Sequence, residues 1–424
     1  MHQSSRLTSR FSAGLTRRFT ALAAAAVLLV TIAVPLSTGP AHAAGPCDAG
    51  SNAIVCENSK PGTNPAVWDI AGAGDRTIQG FATDISVNVG SRVDFKIDSD
   101  VPDYTVDIYR TGWYQGLGAR FIDTADLPPD RPVTQGECIT DAATQLYDCG
   151  TWGVSAFWDV PADAVSGVYV ALLTRTDTGG SSHIIFIVRD EASHSDVLFQ
   201  TSDPTWHAYN AYGGSSFYQG GSNGRAYKLS YNRPFDTRAS GNGRDFYFSS
   251  EYAQVRFLEK NGYDVSYFSG VDTDRRGALL KNHKTFLSVG HDEYWSAGQR
   301  ANVEAARDAG INLAFFSGNE IYWKTRWEPS TADGGSTDYR TLVSYKEGDA
   351  QGSEHHDCFG NFDCDPDPDT WTGLWRQNQT GHDGGRPENA LSGQISWGDA
   401  TTAIQVPASA TAFRFWRNAG MSGA

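Results

Sequence analysis

The sequence predicts an all-β sandwich followed by a doubly wound, mostly parallel α/β domain. Short strands of alternating or apolar residues, separated by Gly, Pro and Asp, occupy residues 78–189 without a helical stretch. After residue 193, apolar strands instead alternate with helical spacings, which is the pattern of strand–helix–strand units. The 380 residues that follow a targeting segment also exceed what one hydrophobic core usually organises, so we expect two domains.

Residues 1–44 have the features of a secretory signal peptide. An apolar stretch over 21–36 is followed by a small-x-small pattern that ends at Ala43, which is a signal-peptidase site. The stretch is too short and too rich in alanine to predict a membrane span. We therefore expect a secreted protein with no membrane attachment in its mature form, and both Sec and twin-arginine export stay open. The segment begins with basic residues and no acidic ones, namely Arg6, Arg10, Arg17 and Arg18.

The β-sandwich is expected over 77–192 and to be of the immunoglobulin-like kind, because its strands are short and regularly separated by turn residues. Residues 45–76, rich in Gly, Ala and Asn, are predicted to be a lightly structured N-terminal extension. The strands are predicted at 85–89, 93–97, 106–109, 167–173 and 183–188.

The α/β domain is expected over 193–424. Its first helix spans 251–261 and ends at Gly262, and its second is capped by Ser296 and ends at Gly310. In sheets of this kind, ligands bind beyond the carboxyl ends of the strands. The strands are predicted at 196–200, 264–268, 285–289 and 311–316.

The charge of the chain argues against two anionic partners, nucleic acid and a membrane surface. The formal net charge is −15, and it becomes −19 once the four arginines of residues 1–44 are removed. Binding to phosphate backbones and anionic membranes requires clustered Lys and Arg, so neither nucleic acid nor a membrane surface is an expected partner.

The six cysteines fall into three close pairs. In an exported chain, such pairs are typical of short-loop disulfides. Metal binding is the competing interpretation, but no pair has CxxC spacing. The expected disulfides are Cys47–Cys56, Cys138–Cys149 and Cys358–Cys364.

Three strand-end loops contain His, Asp, Glu and Tyr, which is the composition of an acid/base or metal site. They are residues 205–210, 290–296 and 317–323. The domain has no cysteine between 193 and 357, no Gly-x-Ser-x-Gly elbow and no Gly-x-Gly-x-x-Gly at its first helix. These absences argue against a cysteine nucleophile, an α/β-hydrolase and a dinucleotide cofactor.

Several motifs resemble the large-subunit family of N,N-dimethylformamidase over roughly residues 75–424. The most specific is Gly290-His291-Asp292-Glu293-Tyr294-Trp295-Ser296. The resemblance implies a second domain with the class I glutamine-amidotransferase-like fold that has lost the amidotransferase cysteine. The other motifs lie at 79–87, 107–110, 118–120, 205–210 and 262–267.

The resemblance also implies a mononuclear iron held by two tyrosines and a glutamate, with a histidine nearby. Carried over by motif, the glutamate is Glu293 and the first tyrosine is Tyr209; the second is Tyr231, with Tyr218 as the alternative. Phenolate and carboxylate are hard donors that suit Fe(III). His291 or Asp292 is expected to transfer protons during hydrolysis of a small amide. The residues expected to contact the substrate are Trp206, Tyr294 and Asn319.

Two other functions stay open. The first is a secreted non-catalytic protein that binds sugars or other small ligands on exposed tryptophans, which requires Trp206, Trp295 and Trp323 to form an accessible platform. The second is a metal-free hydrolase that uses Glu293 and Glu320, whose oxygens would then lie roughly 5–10 Å apart.

The sequence leaves partners and chain ends open. The amidase has a small partner subunit, and a homo-oligomer is the alternative arrangement. Family members continue beyond the region that matches residue 424, so a truncated C-terminus is expected. The acidic segment 358–369 lacks the glycine turn of an EF-hand and is expected to be a solvated loop rather than a calcium site.

Overall fold

The computed structural model describes residues 45–70, 72–222, 224–236, 246–249, 251–347, 365–367, 370, 372–377, 384–396, 405–413 and 416. Residues 45–424 form one compact unit. The predicted signal segment 1–44 and the Cys358–Cys364 pair lie outside the described residues, as does most of the acidic segment. Within the part that is described, no helix is long and apolar enough to cross a bilayer.

Two sheets pack face to face to form the N-terminal half. Strands β1 (Ile78–Ala82), β3 (Arg92–Ser99) and β8 (Ala156–Asp159) form one, in the order β1-β3-β8. Strict alternation along β3 sends Val93, Phe95 and Ile97 inward, where they share a core with residues of the facing sheet. The facing five-stranded sheet has the order β2-β10-β9-β4-β5 and consists of β2 (Ser86–Asn88), β4 (Tyr104–Thr111), β5 (Ala119–Thr124), β9 (Gly167–Arg175) and β10 (Ser181–Arg189).

A disulfide-closed hairpin projects from this half. Strands β6 (Ile139–Asp141) and β7 (Leu146–Asp148) pair antiparallel between Cys138 and Cys149, whose sulfur atoms are bonded as predicted. Tyr147 of the hairpin packs edge-on against Tyr212, with ring centroids 6.0 Å apart. A Cβ atom at Gly213 would collide with the Tyr147 ring, and the φ of Gly213 is +85°, so glycine is required there. The hairpin therefore contacts the loop that begins at residue 211.

The N-terminal extension is more ordered than predicted. It contains α1 (Ala53–Ser59) and α2 (Pro65–Trp68), which begin at asparagine N-caps whose side chains accept from Val55 N and Ala66 N. Ile54 and Trp68 are buried in the main core, and Cys47–Cys56 is bonded as predicted. The Gly- and Asn-rich composition predicted a loosely structured segment. The two helices could not be predicted, because buried residues such as Ile54 and Trp68 are too few to show a helical repeat in the sequence.

The C-terminal half contains a fully parallel sheet, as predicted. Its order is β13-β11-β14-β16, and every neighbouring pair is parallel. The predicted helix ends are confirmed, because Gly262 and Gly310 have φ of +70° and +95° and Ser296 accepts from Gln299 N. The elements are β11 (Val197–Gln200), α3 (Asp203–Tyr209), α4 (Glu251–Lys260), β13 (Val265–Phe268), α5 (Gly270–Arg275), β14 (Thr285–Gly290), α6 (Ala297–Asp308) and β16 (Asn312–Ser317).

A second, mixed sheet was not predicted. Its strands lie between or after those of the parallel sheet in the sequence. Its order is β12-β18-β17-β15, with β15 parallel to β17 and the other pairs antiparallel. It consists of β12 (Lys228–Ser230), β15 (Tyr294–Ser296), β17 (Trp323–Glu328) and β18 (Thr341–Val343); a short helix, α7 (Asn389–Ser392), follows later in the chain.

A fully buried ion pair joins the two halves. Arg110 of β4 donates to both carboxylate oxygens of Glu259 in α4, at 2.8 and 3.0 Å, and both side chains are 0 % exposed. Tyr267 and Asn58 each donate a further hydrogen bond of 2.8 Å to Glu259. A buried charge pair is tolerated when its remaining hydrogen-bonding capacity is satisfied in this way. The contact fixes β4 of the sandwich against α4.

Candidate functional site

Two strand-end loops are held together by backbone hydrogen bonds. The loop after β14 and the loop after β16 leave neighbouring parallel strands at the same sheet edge. Gly318 N donates to Gly290 O at 3.0 Å, and Trp323 N donates to Glu293 O at 2.9 Å. Helix α3 joins them through Thr205, whose hydroxyl accepts from Glu293 N at 3.0 Å. The three predicted segments therefore meet around Glu293, although 205–210 lies mostly in helix α3 (Asp203–Tyr209) rather than in a loop.

The carboxylate of Glu293 receives two phenol hydroxyls. Tyr209, at the end of α3, donates to Oε2 at 3.1 Å. Tyr218 lies 3.0 Å from Oε1 and 2.9 Å from Oε2. The two phenol rings are stacked, with centroids 4.3 Å apart. Two phenol oxygens and one carboxylate thus converge at one point, and Tyr218, which supplies one of the phenols, is a residue that is 43 % exposed.

Three further side chains surround this group. His291 Nε2 lies 3.4 Å from Glu293 Oε2. Tyr294 donates from its hydroxyl to the hydroxyl of Tyr218 at 2.7 Å. The ammonium of Lys346 lies 3.6 Å from the centroid of the Tyr218 ring, within cation–π range. The site is therefore a compact set of ionisable groups, with the Lys346 ammonium beside the phenols.

The phenols are strongly perturbed by their surroundings. Although part of the Tyr218 ring is exposed, burial of its hydroxyl end and the negative charge of Glu293 raise the pKa of this phenol well above its usual value. Burial and the same carboxylate also raise the pKa of Tyr294. Both phenols are consequently neutral donors at pH 7 in the protein alone, and a cation would be needed to stabilise a phenolate there.

The donor set fits a hard metal ion. Among the described residues, no group of three His, Cys, Asp or Glu side chains is placed to hold a metal, so a centre here would depend on the phenol oxygens. Two phenol oxygens and a carboxylate are hard, anionic donors when ionised, which is the preference of Fe(III). The stacked tyrosines already direct both hydroxyls at the carboxylate, so the group implied by the resemblance matches the residues present.

Tyr231, the first choice for the second tyrosine, is held elsewhere. Its hydroxyl donates to Asp203 Oδ2 at 3.0 Å, and its ring stacks on His207 in the core at 3.7 Å between centroids. The structure instead places the alternative, Tyr218, against Glu293. The sequence could not separate the two, because both follow α3 in an aromatic-rich segment and only the course of the 211–220 loop decides between them.

Asp292 is buried away from solvent. Its Oδ2 accepts from Gln200 Nε2 and Ser288 Oγ, each at 2.7 Å, and the residue is 0 % exposed. Burial raises the pKa of this carboxyl to about 7. These contacts tie the loop to β11 and β14, and the expected proton-transfer role of Asp292 stays a prediction that its burial does not favour. His291 is the remaining candidate in this loop.

The tryptophans do not form an exposed platform. Trp206 and Trp295 are 0 % exposed and Trp323 is 4 % exposed. Trp206 donates from Nε1 to Glu251 Oε2 at 2.6 Å inside the core, so the expectation that it contacts substrate is also revised. This burial counts against sugar binding on these three rings.

The remaining predicted residues have different surroundings. Asn319 lies in the loop after β16, partly buried with a φ of +52°, and accepts from Ser396. Tyr294 lies in the site, behind Tyr218. Glu320 is 3 % exposed, and burial, together with the charge of Glu388, raises its pKa. A buried Glu320 of this kind resembles a structural carboxyl.

Lys346 is the site residue that the sequence did not indicate. It follows β18, about 50 positions after Glu293, in a segment without a recognisable motif. Its φ of +50° is uncommon for a residue with a side chain, and it reaches the phenols only because β18 belongs to the unpredicted mixed sheet. A positive φ does not alter the periodicity of a sequence, so no pattern in the sequence could have identified Lys346 as a site residue.

Buried carboxyls near α3 make stability depend on pH. Glu251 accepts from Ser202 N and Trp206 Nε1, and burial raises its pKa from 4.5 to about 8. The folded state then binds more protons than the unfolded chain between those values, so the free energy of unfolding should fall as pH rises from about 4.5 to 8. One such proton corresponds to about 1.4 kcal/mol per pH unit.

Urea unfolding at pH 5, 6, 7 and 8 tests this dependence. The Glu251→Gln variant, which stays neutral, should show a flatter profile than the unsubstituted protein. An identical pH slope for the two proteins would contradict the assignment of this proton to Glu251.

Comparison with known proteins gives one family match. Residues 105–424 match the family model described as N,N-dimethylformamidase beta subunit-like, C-terminal. No curated protein matches the chain. Among solved structures, VCBP3 domain 1 from Branchiostoma floridae shares 8 % identity, with a TM-score of 0.17, over 28 % of this chain and 98 % of its own. A family 123 glycoside hydrolase from Clostridium perfringens shares 10 % identity, with a TM-score of 0.11, over 55 % of this chain and 67 % of its own. These TM-scores are too low to support an argument.

Proposed function

The chain belongs to the N,N-dimethylformamidase beta subunit-like family, and from this premise we propose that it is a secreted, metal-assisted amidohydrolase that cleaves the C–N bond of a small amide. The observation that carries the proposal is the convergence of the Tyr209 and Tyr218 hydroxyls on the Glu293 carboxylate. The immunoglobulin-like and glutamine-amidotransferase-like assignments of the two halves are part of this proposal. Export from the cytoplasm is also part of this proposal, because disulfides such as Cys47–Cys56 and Cys138–Cys149 are typical of exported proteins.

Tyr209, Tyr218 and Glu293 are the residues that would hold the metal. Mononuclear Fe(III), once bound, supplies Lewis acidity that polarises an amide carbonyl and lowers the pKa of a water molecule. The choice of iron rests on the hardness of the donors and on the family.

The side chains around the metal ligands have the other roles in the proposed reaction. His291 Nε2, beside Glu293, accepts the proton that the attacking water loses and returns it to the departing amine nitrogen. Tyr294 donates to Tyr218 and so fixes the direction in which the Tyr218 oxygen accepts. Lys346 offsets the negative charge that accumulates when the phenols ionise, because its ammonium faces the Tyr218 ring. Asp292, buried against Gln200 and Ser288, positions the loop rather than moving protons.

The exposed part of Tyr218 favours a small substrate. Tyr218 is the member of the group that is partly exposed, while Tyr294 and Glu293 are buried. A compact amide could approach along Tyr218 without any movement of the core.

A matched pair of tyrosine variants tests the proposed ligand set. Tyr218→Phe should lower iron affinity by at least the roughly 10–100-fold that loss of an outer-shell partner costs, and should weaken or shift the tyrosinate-to-iron absorption band. Tyr231→Phe should retain iron and the band, and should lose only about 1 kcal/mol of stability with its hydrogen bond to Asp203. Metal analysis and a visible spectrum of the same samples provide both readouts.

The opposite pattern would refute this ligand set. If Tyr231→Phe lost iron while Tyr218→Phe kept it, Tyr231 would be the ligand. If the purified protein bound no iron after reconstitution, the metal-assisted mechanism would fall.

A further inference from the structure

A second cleft lies apart from the tyrosine–glutamate site. It has a volume of about 360 Å³, which is within the usual range of about 300–1,000 Å³ for small-molecule sites. Its wall comes from the start of α6, from β17 and from the segment around Tyr339. The residues that line it include Asp274, Gly298, Thr325, Trp327, Asp338 and Tyr339.

Two aromatic rings form one side of the cleft. The rings of Trp327 and Tyr339 are tilted by 54° with centroids 5.9 Å apart, so they make a corner rather than a flat stack. Both side chains are only partly buried. Both residues line the cleft, and the electron-rich faces of aromatic rings attract organic cations.

The charges of the cleft favour a cation as well. Arg326 is the guanidinium in the wall, and it is paired with Glu328 and Asp365. Glu328 in turn pairs with Lys228. The remaining negative charge in the cleft comes from Asp338 and from Asp274, whose Oδ1 accepts from the Tyr339 hydroxyl at 3.2 Å and whose charge is partly offset by the N-terminus of α6.

The positive end of α6 is already compensated. Asp274 accepts from Ser296, the N-cap of this helix, and lies so close to Gly298 that a Cβ atom there would be 2.6 Å from its Oδ1. The full charge of Asp274 outweighs the roughly half charge at a helix N-terminus. The helix therefore does not make the cleft an anion site.

We propose that this cleft binds an organic ammonium ion, with its alkylated nitrogen against Trp327 and Tyr339 and its charge facing Asp274 and Asp338. The proposal is independent of the metal-assisted reaction, because no residue of the tyrosine–glutamate site lines the cleft.

Choline and its neutral isostere 3,3-dimethyl-1-butanol are the probes. Titration calorimetry of the full chain, with and without iron, should show choline binding that weakens with added salt, and at least tenfold weaker binding of the isostere. Trp327→Leu and Asp338→Asn should each lower choline affinity at least tenfold. Tyr263→Leu and Asp308→Asn, which alter an exposed ring and an exposed carboxylate outside the cleft, should leave it unchanged.

Three outcomes would overturn the proposal. They are no choline binding up to about 10 mM, equal binding of the neutral isostere, and unchanged affinity in Asp338→Asn. Asp338 is exposed, so its substitution should not disturb folding. Preferential binding of a neutral sugar would identify the cleft as a carbohydrate site instead.

Discussion

Glu293→Gln is expected to remove bound iron and to lower amide hydrolysis by more than about 100-fold, which is the upper end of the loss caused by outer-shell substitutions. The variant keeps the size of the side chain but loses the charge and one of the oxygens on which Tyr209 and Tyr218 converge. Elemental analysis, the visible spectrum and turnover of small formamides measure the three consequences. The fold should persist, because the Glu293 backbone contacts to Thr205 and Trp323 remain.

Glu320→Gln is the matched control for this experiment. Glu320 is buried outside the tyrosine–glutamate group and its pKa is raised by burial, and glutamine keeps the size of its side chain. Iron content and turnover should therefore stay close to those of the unsubstituted protein. Loss of turnover in Glu320→Gln with iron retained would favour the metal-free pair of carboxylates. Retention of stoichiometric iron by Glu293→Gln would contradict the proposed ligand set.

Glu259→Ala should produce the largest loss of stability, about 3–5 kcal/mol, because it leaves the Arg110 guanidinium buried without its counter-ion. Tyr267 and Asn58 would also lose an acceptor. Urea unfolding measures the change as a shift of the midpoint at constant slope.

Two comparisons separate the buried charge from other causes. Arg92→Ala breaks an ion pair with Asp159 in which both side chains are at least half exposed, and should cost less than about 1 kcal/mol. Replacing Arg110 and Glu259 together by Met and Leu should recover much of the loss, since no unpaired charge remains. A Glu259→Ala effect as small as that of Arg92→Ala would show that water reaches Arg110.

Local patterns were sufficient to predict the longer strands of the sandwich, the strands of the parallel sheet and the helices α4 and α6. The alternation of Val93, Phe95 and Ile97 and the caps at Ser296 and Gly310 depend on neighbours within a few residues, so the sequence carries them directly. The parallel sheet was likewise predicted because its strands are apolar and separated by helical spacings. The mixed sheet was missed, since β12 and β18 are three residues long and pair across more than 100 positions.

A contact within the site could be predicted only where one sequence motif contains both of the residues that make it. His291 and Glu293 are two residues apart, and the structure places them together. Tyr218 and Lys346 approach Glu293 through loops whose course depends on distant contacts, and the choice between Tyr218 and Tyr231 could not be made from residue types. No role could be predicted for Arg110 of the Asp107–Arg110 motif, because its partner, Glu259, lies 149 positions later in α4.

The hairpin closed by Cys138–Cys149 leads us to expect that this disulfide forms before the proposed metal centre binds its ion. Besides the contact of Tyr147 with Tyr212, Thr144 O accepts from Tyr227 N at 2.8 Å, so the hairpin supports both ends of the segment that carries Tyr218. A chain made in a reducing compartment would lack this covalent closure, and its Tyr218 segment would be less firmly supported. Thiol oxidation should therefore precede iron acquisition, and protein produced in a reducing cytosol should be folded but poorly metallated.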